Sequence, residues 1–269
     1  MSPSATIVGA FGGDSVSIPP AKAPAADVED AVQDGAGHGL LHRSLLERPH
    51  NAVSALGSYL TLEDGRKILD GCGGAAVAVI GHGNEEVMHA AMAQMRKVSY
   101  VHTLSYTTDA AENLASFILN DPNSTFQHGL EKAYFVGSGS EANDAAMKMA
   151  RQYFYEQGET QRNYFVARRQ GYHGNTIGSM SISTNLARKG PYEGVLTLPY
   201  VSFVSPAYSY QYQQASESES EYCQKLVAEI EAEFLRIGPD KVIGFVAETV
   251  VGATSGCVPS PKGKNLDHY

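Results

Sequence analysis

The alternation of short apolar segments with longer amphipathic ones between residues 132 and 247 constrains the fold of this 269-residue chain most strongly. The apolar segments predict buried strands and the amphipathic segments predict helices, one of them with Leu226, Val227, Ile230 and Phe234 on its apolar side. Strands that alternate with helices form a mainly parallel sheet, so the sequence predicts an α/β domain. The predicted strands are Lys132–Val136, Tyr164–Arg168, Val242–Ala247 and one or two within Leu196–Val204, and the predicted helices are 141–157 and 217–236.

The region before residue 132 has a different character. Residues 1–37 are mostly Ala, Gly, Ser and Pro, which predicts a disordered tail because little apolar surface is available for burial. Asp64-Gly65 lies between alternating residues and predicts a hairpin with a type I′ turn, followed by a tightly packed strand or loop over Gly71–Ile80. Helices are predicted from Asn84 to about Val98 and from Thr107 or Thr108 to about Asn120.

Charge and composition exclude several classes of function. The net charge of −9 argues against nonspecific nucleic-acid binding, which needs clustered Lys and Arg. The longest apolar stretch, Ala75–Ile80, is far shorter than the ~20 residues of a membrane helix. The three cysteines form no CxxC pair and no Cys/His metal spacing, so we expect free thiols and no metal site. No targeting signal is recognisable, and the expected compartment is the cytoplasm.

The sharpest motif is Gly137-Ser138-Gly139-Ser140-Glu141-Ala142, placed between a predicted strand and a predicted helix. Free backbone N–H groups and the positive end of the helix dipole converge at such a point and favour a phosphate group. The same residues match the Gly-x-Gly-x-x-Ala form of the dinucleotide fingerprint. Since the next strand ends in Arg168-Arg169, an NADP-dependent oxidoreductase stays open as an alternative.

A longer pattern resembles the class III (ω-type) aminotransferases, which are pyridoxal 5′-phosphate enzymes of fold type I. The resemblance covers about Leu40 to Pro261, and Thr249 stands where the family usually has proline. It is carried by three ordered motifs and an upstream segment: Gly137–Arg151, the aromatic-His-Gly stretch Tyr172–Gly178, Glu248–Gly256, and Asp64-Gly65 with Asp70-Gly71 and Gly81-His82-Gly83.

The resemblance implies a role for each matching residue. The loop residues Ser138, Gly139 and Ser140 would bind the cofactor phosphate, and the Tyr172 ring would stack on the pyridine face. His173 belongs to the same cofactor-binding set, and Gly174 would let the backbone pass close to the cofactor. Glu248 would lie near the cofactor and orient the substrate or a neighbouring side chain.

The family pattern stops before its catalytic lysine. The Schiff-base lysine and the Asp-Glu motif that protonates the pyridine would both follow Pro261, and Lys262 and Lys264 come too early in the pattern. We therefore expect no catalytic residue in this chain and an incomplete fold type I large domain with the N-terminal part of a small α+β domain. The expected divisions are a disordered tail over 1–37, the small-domain segment over 38–103, the truncated cofactor domain over 104–263 and an unrelated tail over 264–269.

The intact family moves an amino group between an amine or ω-amino acid and a keto acid, as a homodimer. The resemblance thus implies an amino donor and a keto acid acceptor as partners, with this chain inactive alone. A non-catalytic dimerisation partner of a full-length homologue stays open as a second alternative.

Overall fold

The structure is a computed structural model that divides into two compact units, Met1–Leu114 and Ala115–Tyr269. The predicted tails over 1–37 and 264–269 lie outside the residues that it describes. The described residues are 39–44, 47–120, 129–256 and 258–261.

The first unit contains a three-stranded antiparallel sheet in the order β1-β2-β3. The strands are β1 (Ala52–Leu56), β2 (Tyr59–Leu62) and β3 (Lys67–Leu69). The predicted hairpin is confirmed, since Thr61 pairs with Lys67 across the Asp64-Gly65 turn. Leu62, at 5% exposure, is the only buried hydrophobic side chain among the described residues of this unit.

The turn between β2 and β3 is not of the predicted type I′. That turn needs positive φ at both central residues, and among described non-glycine residues only Gln170 has a positive φ. Instead the Gly65 N–H donates to the Leu62 carbonyl at 2.9 Å while Gly65 has φ 84°, which is a type I turn followed by a left-handed glycine.

Three helices follow in the chain: α1 (Gly73–Ala76), α2 (Glu85–Lys97) and α3 (Asp109–Leu119). The predicted cap of α2 is confirmed, because Asn84 Oδ1 accepts from the Val87 N–H at 3.1 Å. Thr108 rather than Thr107 begins α3, since its Oγ1 accepts from the Ala111 N–H at 3.3 Å. The tight packing expected over Gly71–Ile80 is wrong: α1 lies there, and Val77 is 82% exposed.

The second unit contains a three-stranded parallel sheet with flanking helices, in the order β5-β4-β6. This confirms an α/β fold whose central strand is β4. Its elements are α4 (Gly139–Glu156), β4 (Tyr164–Arg168), α5 (Ile177–Ser181), α6 (Leu186–Lys189), β5 (Val201–Val204), α7 (Ser209–Tyr212), α8 (Glu219–Ile237), β6 (Val242–Val246) and the short pair β7 (Val250–Val251) and β8 (Val258–Pro259).

Hydrophobic side chains cover both faces of this sheet, as parallel sheets require. Because side chains alternate along β4, Phe165 and Ala167 point to one face and Val166 to the other. The first face packs with Met147 and Ile182, and the second packs with Val204, Ile237 and Val242.

Helix α8 begins with a capping box, in which Ser218 Oγ accepts from the Glu221 N–H and the Glu221 carboxylate accepts from the Ser218 N–H. Leu226 is buried, and Ile230 and Phe234 pack beside it against the sheet, as predicted. Val227 does not belong to this face, since it is 58% exposed.

The predicted buried strand over Lys132–Val136 is wrong. These residues belong to no strand or helix of the described chain, and Tyr134 is 71% exposed. A strand forms only where a neighbour supplies partners for its N–H and C=O groups. The second edge of β6 is also without a strand in the described part of the chain, so the sheet has space for further strands there.

Within the ranges that the structure describes, no helix has the length and apolarity needed to cross a membrane.

Candidate functional site

The N-terminus of α4 presents free hydrogen-bond donors. Ser138 is the N-cap, and its Oγ accepts from the Glu141 N–H at 3.2 Å. The N–H groups of Gly139 and Ser140, at the first two helical positions, have no acceptor among the described residues. A Cβ built on Gly139 would meet nothing within 4 Å. The loop therefore offers two backbone donors and open space to an anion at the positive end of the helix.

The segment that follows β4 folds back onto this loop. Ser140 Oγ accepts from the Asn175 N–H at 3.1 Å and lies 3.2 Å from Asn175 Oδ1, to which it donates. Asn143 Nδ2 donates to the His173 carbonyl at 2.6 Å. The Ser138 hydroxyl oxygen accepts as the helix cap and the Ser140 hydroxyl bonds Asn175, while the backbone N–H groups of Gly139 and Ser140 have no acceptor among the described residues.

Gly174 is required by the helix itself. Its φ is 135°, and a Cβ there would lie 2.4 Å from Ser140 Oγ and 2.9 Å from Ser140 Cα. The contact with Ser140 is therefore sufficient to require glycine at this position.

Glu248 joins the end of β6 to the Tyr172 segment. Its Oε1 accepts from the Tyr172 N–H at 2.8 Å and its Oε2 accepts from the Gly252 N–H at 3.0 Å. Glu248 thus lies beside Tyr172, and both of its carboxylate oxygens accept from backbone N–H groups.

The ring of the half-buried Tyr172 side chain is in contact with an arginine side chain. The Arg188 guanidinium lies 4.7 Å from the ring centroid, in cation–π contact. Arg188 itself is exposed, and the described part of the chain gives it no carboxylate partner.

His173 is a buried imidazole. The residue is 9% exposed, its backbone N–H donates to Ser183 Oγ at 2.8 Å, and the ring Nε2 has no partner among the described residues. Burial lowers the pKa of His173 below its ordinary value, and the Glu248 carboxylate opposes that shift in part. At neutral pH the imidazole is therefore uncharged.

Arg168, the first of the two arginines that suggested NADP, makes its side-chain contacts outside the loop. The Arg168 guanidinium donates to Ser260 Oγ at 3.1 Å and lies 5.4 Å from the Phe245 ring centroid. Burial lowers the pKa of Arg168.

The six sequence-predicted site residues lie together at the carboxyl end of the sheet: Ser138, Gly139, Ser140, Tyr172, His173 and Glu248. Hydrogen bonds join the start of α4 to the segment that bears Tyr172 and His173, and join that segment to Glu248. Sequence reasoning missed Asn143 and Asp144, which also bond the folded-back segment. Their spacing three and four residues after Ser140 was a usable signal, since it places them on one helix face.

Comparison with known proteins decides the family. The model of the aminotransferase class-III family matches residues 44–265. The chain belongs to this family. An uncharacterized aminotransferase of Schizosaccharomyces pombe is 44% identical over 224 residues, which are 83% of this chain and 48% of that protein. The chain thus spans about half the length of the curated relatives it matches.

Solved transaminases share the fold. The crystal structure of an (S)-enantioselective omega-transaminase from Thermomicrobium roseum superposes with a TM-score of 0.76 at 28% identity, covering 89% of this class III chain and 53% of that one. An amine transaminase from an uncultivated Pseudomonas species, solved in its PLP-bound form, gives a TM-score of 0.73 at 26% identity, with 83% and 50% covered. These neighbours confirm an incomplete fold type I architecture.

The residues present fit the cofactor of that family. A phosphate monoester needs N–H donors and positive potential, which Gly139, Ser140 and the helix dipole supply. An aromatic pyridine needs a flat apolar neighbour, and the Tyr172 ring lies on the segment bonded to the same loop.

Proposed function

We propose that this chain forms the phosphate and ring cradle for pyridoxal phosphate in a class III aminotransferase. The observation that carries the proposal is the pair of free N–H groups at Gly139 and Ser140, held by hydrogen bonds against the segment that bears Tyr172. An anion loop alone would serve many phosphate ligands, whereas a loop joined to an aromatic platform favours a phosphorylated aromatic ring.

Each group contributes a separate step of binding. The Gly139 and Ser140 N–H groups would hold the phosphate and fix the end of the ligand. The Tyr172 ring would support one face of the pyridine, while Glu248 keeps the Tyr172 backbone in place. When bound, pyridoxal phosphate supplies the electron sink of amino-group transfer. His173, a buried and uncharged imidazole on the same segment, is proposed to belong to the cofactor-binding set.

The proposed reaction of the whole protein is transfer of an amino group between an amine or ω-amino acid and a keto acid. We propose further that residues 44–265 bind cofactor without turnover, because none of the six site residues is a lysine. The intact protein is proposed to act as a homodimer in the cytoplasm, and a role as non-catalytic partner of a full-length homologue is an outcome that co-purification would reveal.

Equilibrium dialysis of the full chain against pyridoxamine 5′-phosphate tests the proposal, since this amine form cannot react with surface lysines. We expect saturable binding that Tyr172→Ala weakens about tenfold and Tyr172→Phe retains, because the aromatic contact contributes about 1 kcal/mol beyond its area. Binding of NADPH with no binding of pyridoxamine phosphate would overturn the proposal and restore the oxidoreductase alternative.

A further inference from the structure

One face of the first turns of α4 bonds the folded-back segment at several points. Ser140, Asn143 and Asp144 are spaced as i, i+3 and i+4, so their side chains lie on that face. Ser140 and Asn143 hold the backbone of Asn175 and His173, as described above. The third residue, Asp144, contacts neither the loop donors nor Tyr172, and it has no role in the proposed binding of cofactor.

Asp144 caps helix α5 from outside that helix. The N-cap of α5 is Thr176, whose side chain makes no capping hydrogen bond. Asp144 Oδ1 instead accepts from the Ser179 N–H at 2.9 Å and lies 3.2 Å from Ser179 Oγ. A carboxylate at this position satisfies an orphan N–H of the first turn and interacts favourably with the dipole.

The same serine reaches the anion loop. Ser179 Oγ lies 2.9 Å from the Ser140 carbonyl oxygen and accepts from Thr176 Oγ1 at 2.9 Å. With one hydrogen, the Ser179 hydroxyl donates either to the Ser140 carbonyl or to Asp144. In both arrangements Asp144, the start of α5 and Ser140 form one network, and Ser179 is fully buried within it.

The approach of α5 to Asp144 is as close as the chain allows. A Cβ on Gly178 would lie 2.5 Å from Asp144 Oδ1 and 3.1 Å from Asp144 Cγ. A larger residue at position 178 would therefore have to displace the Asp144 carboxylate, which lies directly between the two helices. Since Tyr172 to Asn175 lead directly into α5, the distance between these helices also affects how far the Tyr172 platform lies from the N–H groups of Gly139 and Ser140.

We propose that Asp144 is a positioning residue that sets the separation between the anion loop and the aromatic platform. This inference rests on the proposed function for its ligand, a phosphorylated aromatic ring that must contact both elements at once. A ligand with two contact points is sensitive to their separation, whereas a free phosphate contacts the loop alone. Asp144 acts through Ser179 and touches no ligand itself.

The difference between two ligands gives the test. For the full-length chain we compare Asp144→Ala with Glu156→Ala, an exposed carboxylate at the far end of the same helix, and measure dissociation constants for pyridoxamine 5′-phosphate and inorganic phosphate. We expect Asp144→Ala to raise the dissociation constant of pyridoxamine 5′-phosphate about tenfold. The dissociation constant of inorganic phosphate should change by less than about threefold. Asp144→Asn keeps an acceptor oxygen for the Ser179 N–H, and we expect it to restore binding to within about threefold of wild type.

Three results for Asp144→Ala would overturn the inference. Equally weaker binding of both ligands would indicate loss of the loop itself, and tighter binding of both would indicate only the removal of a repelling charge. Unchanged affinity for both ligands would show that Asp144 has no positioning role. Failure of the wild type to bind pyridoxamine phosphate would overturn the proposed function instead. In that case hydrogen exchange at the Ser179 amide tests whether Asp144 positions the start of α5. Exchange about tenfold faster in Asp144→Ala than in Glu156→Ala supports the positioning contact, and equal exchange overturns it.

Discussion

The carboxylate of Glu248 accepts a hydrogen bond from the backbone N–H of Tyr172 at 2.8 Å, although the two residues are 76 positions apart in the chain. The same carboxylate holds the Gly252 N–H at 3.0 Å. An acidic residue after β6 thereby organises the segment after β4, which is the neighbouring strand in the sheet.

Replacing Glu248 by Ala is expected to lower the free energy of unfolding by about 2–3 kcal/mol, because two backbone N–H groups lose a charged acceptor. Urea unfolding followed by circular dichroism measures the change. Glu248→Gln keeps one acceptor oxygen and is expected to lose about half as much. Equal losses in the two variants would contradict the assignment of both oxygens to backbone.

Replacing Gly174 by Ala is expected to destabilise the second unit by about 2–4 kcal/mol, because a Cβ would enter the space of Ser140 at a φ of 135°. Gly190→Ala is the matched control, since a Cβ there meets nothing within 4 Å and its φ is not positive. Thermal unfolding of the two variants should separate them clearly, and similar transition temperatures would show that the Gly174 approach is not as tight as described.

His173 predicts a dependence of stability on pH. Burial lowers its pKa in the folded chain, so between that value and the ordinary 6.5 the unfolded chain binds more protons. The uncharged imidazole therefore makes its full contribution to the free energy of unfolding above pH 6.5. This contribution falls as the pH is lowered through the window, by about 1.4 kcal/mol for each pH unit that the window spans. His173→Gln should flatten this part of the curve.

Arg162 predicts a loss of stability that leaves the site intact. Its Nη1 donates to the carbonyls of Pro239 and Val242 at 2.9 and 2.6 Å, and it pairs with Glu159. Arg162→Lys cannot make these bonds together, so we expect a loss of about 2 kcal/mol with unchanged affinity for pyridoxamine phosphate. Arg236→Lys, which alters only the pair with Glu233, should cost less than about 1 kcal/mol. A large loss of affinity in Arg162→Lys would show that the structure of the loop depends on the Arg162 contacts before β4.

The features that the sequence predicted well are those with a local cause. The caps at Asn84 and Ser138 follow from side chains that bond a nearby N–H, and β4 is identifiable because its side chains are apolar on both faces. The six site residues were predicted from ordered motifs, and the structure brings them together. Their roles as cofactor ligands stay predictions until binding is measured.

The features that the sequence did not predict depend on distant partners. Lys132–Val136 has the composition of a strand, but composition cannot show whether a neighbour is present to pair with it. The role of Gly174 depends on Ser140, 34 positions earlier in the chain. The role of Asp144 depends on Ser179, 35 positions later. The helical spacing of Ser140 and Asp144 indicates a shared face of α4, but it does not identify the distant residues that this face contacts.

The placement of β4 between β5 and β6 has a consequence for synthesis on the ribosome. The central strand is made early, yet one of its two neighbours is β6, and the Arg162 guanidinium reaches the Val242 carbonyl across 80 residues. Bringing such distant segments together carries a loop-closure cost before any contact compensates for it, so pairing of this kind is slow. A nascent chain therefore exposes the apolar faces of β4 until β6 has left the exit tunnel, and this interval is the one in which a chaperone is most needed.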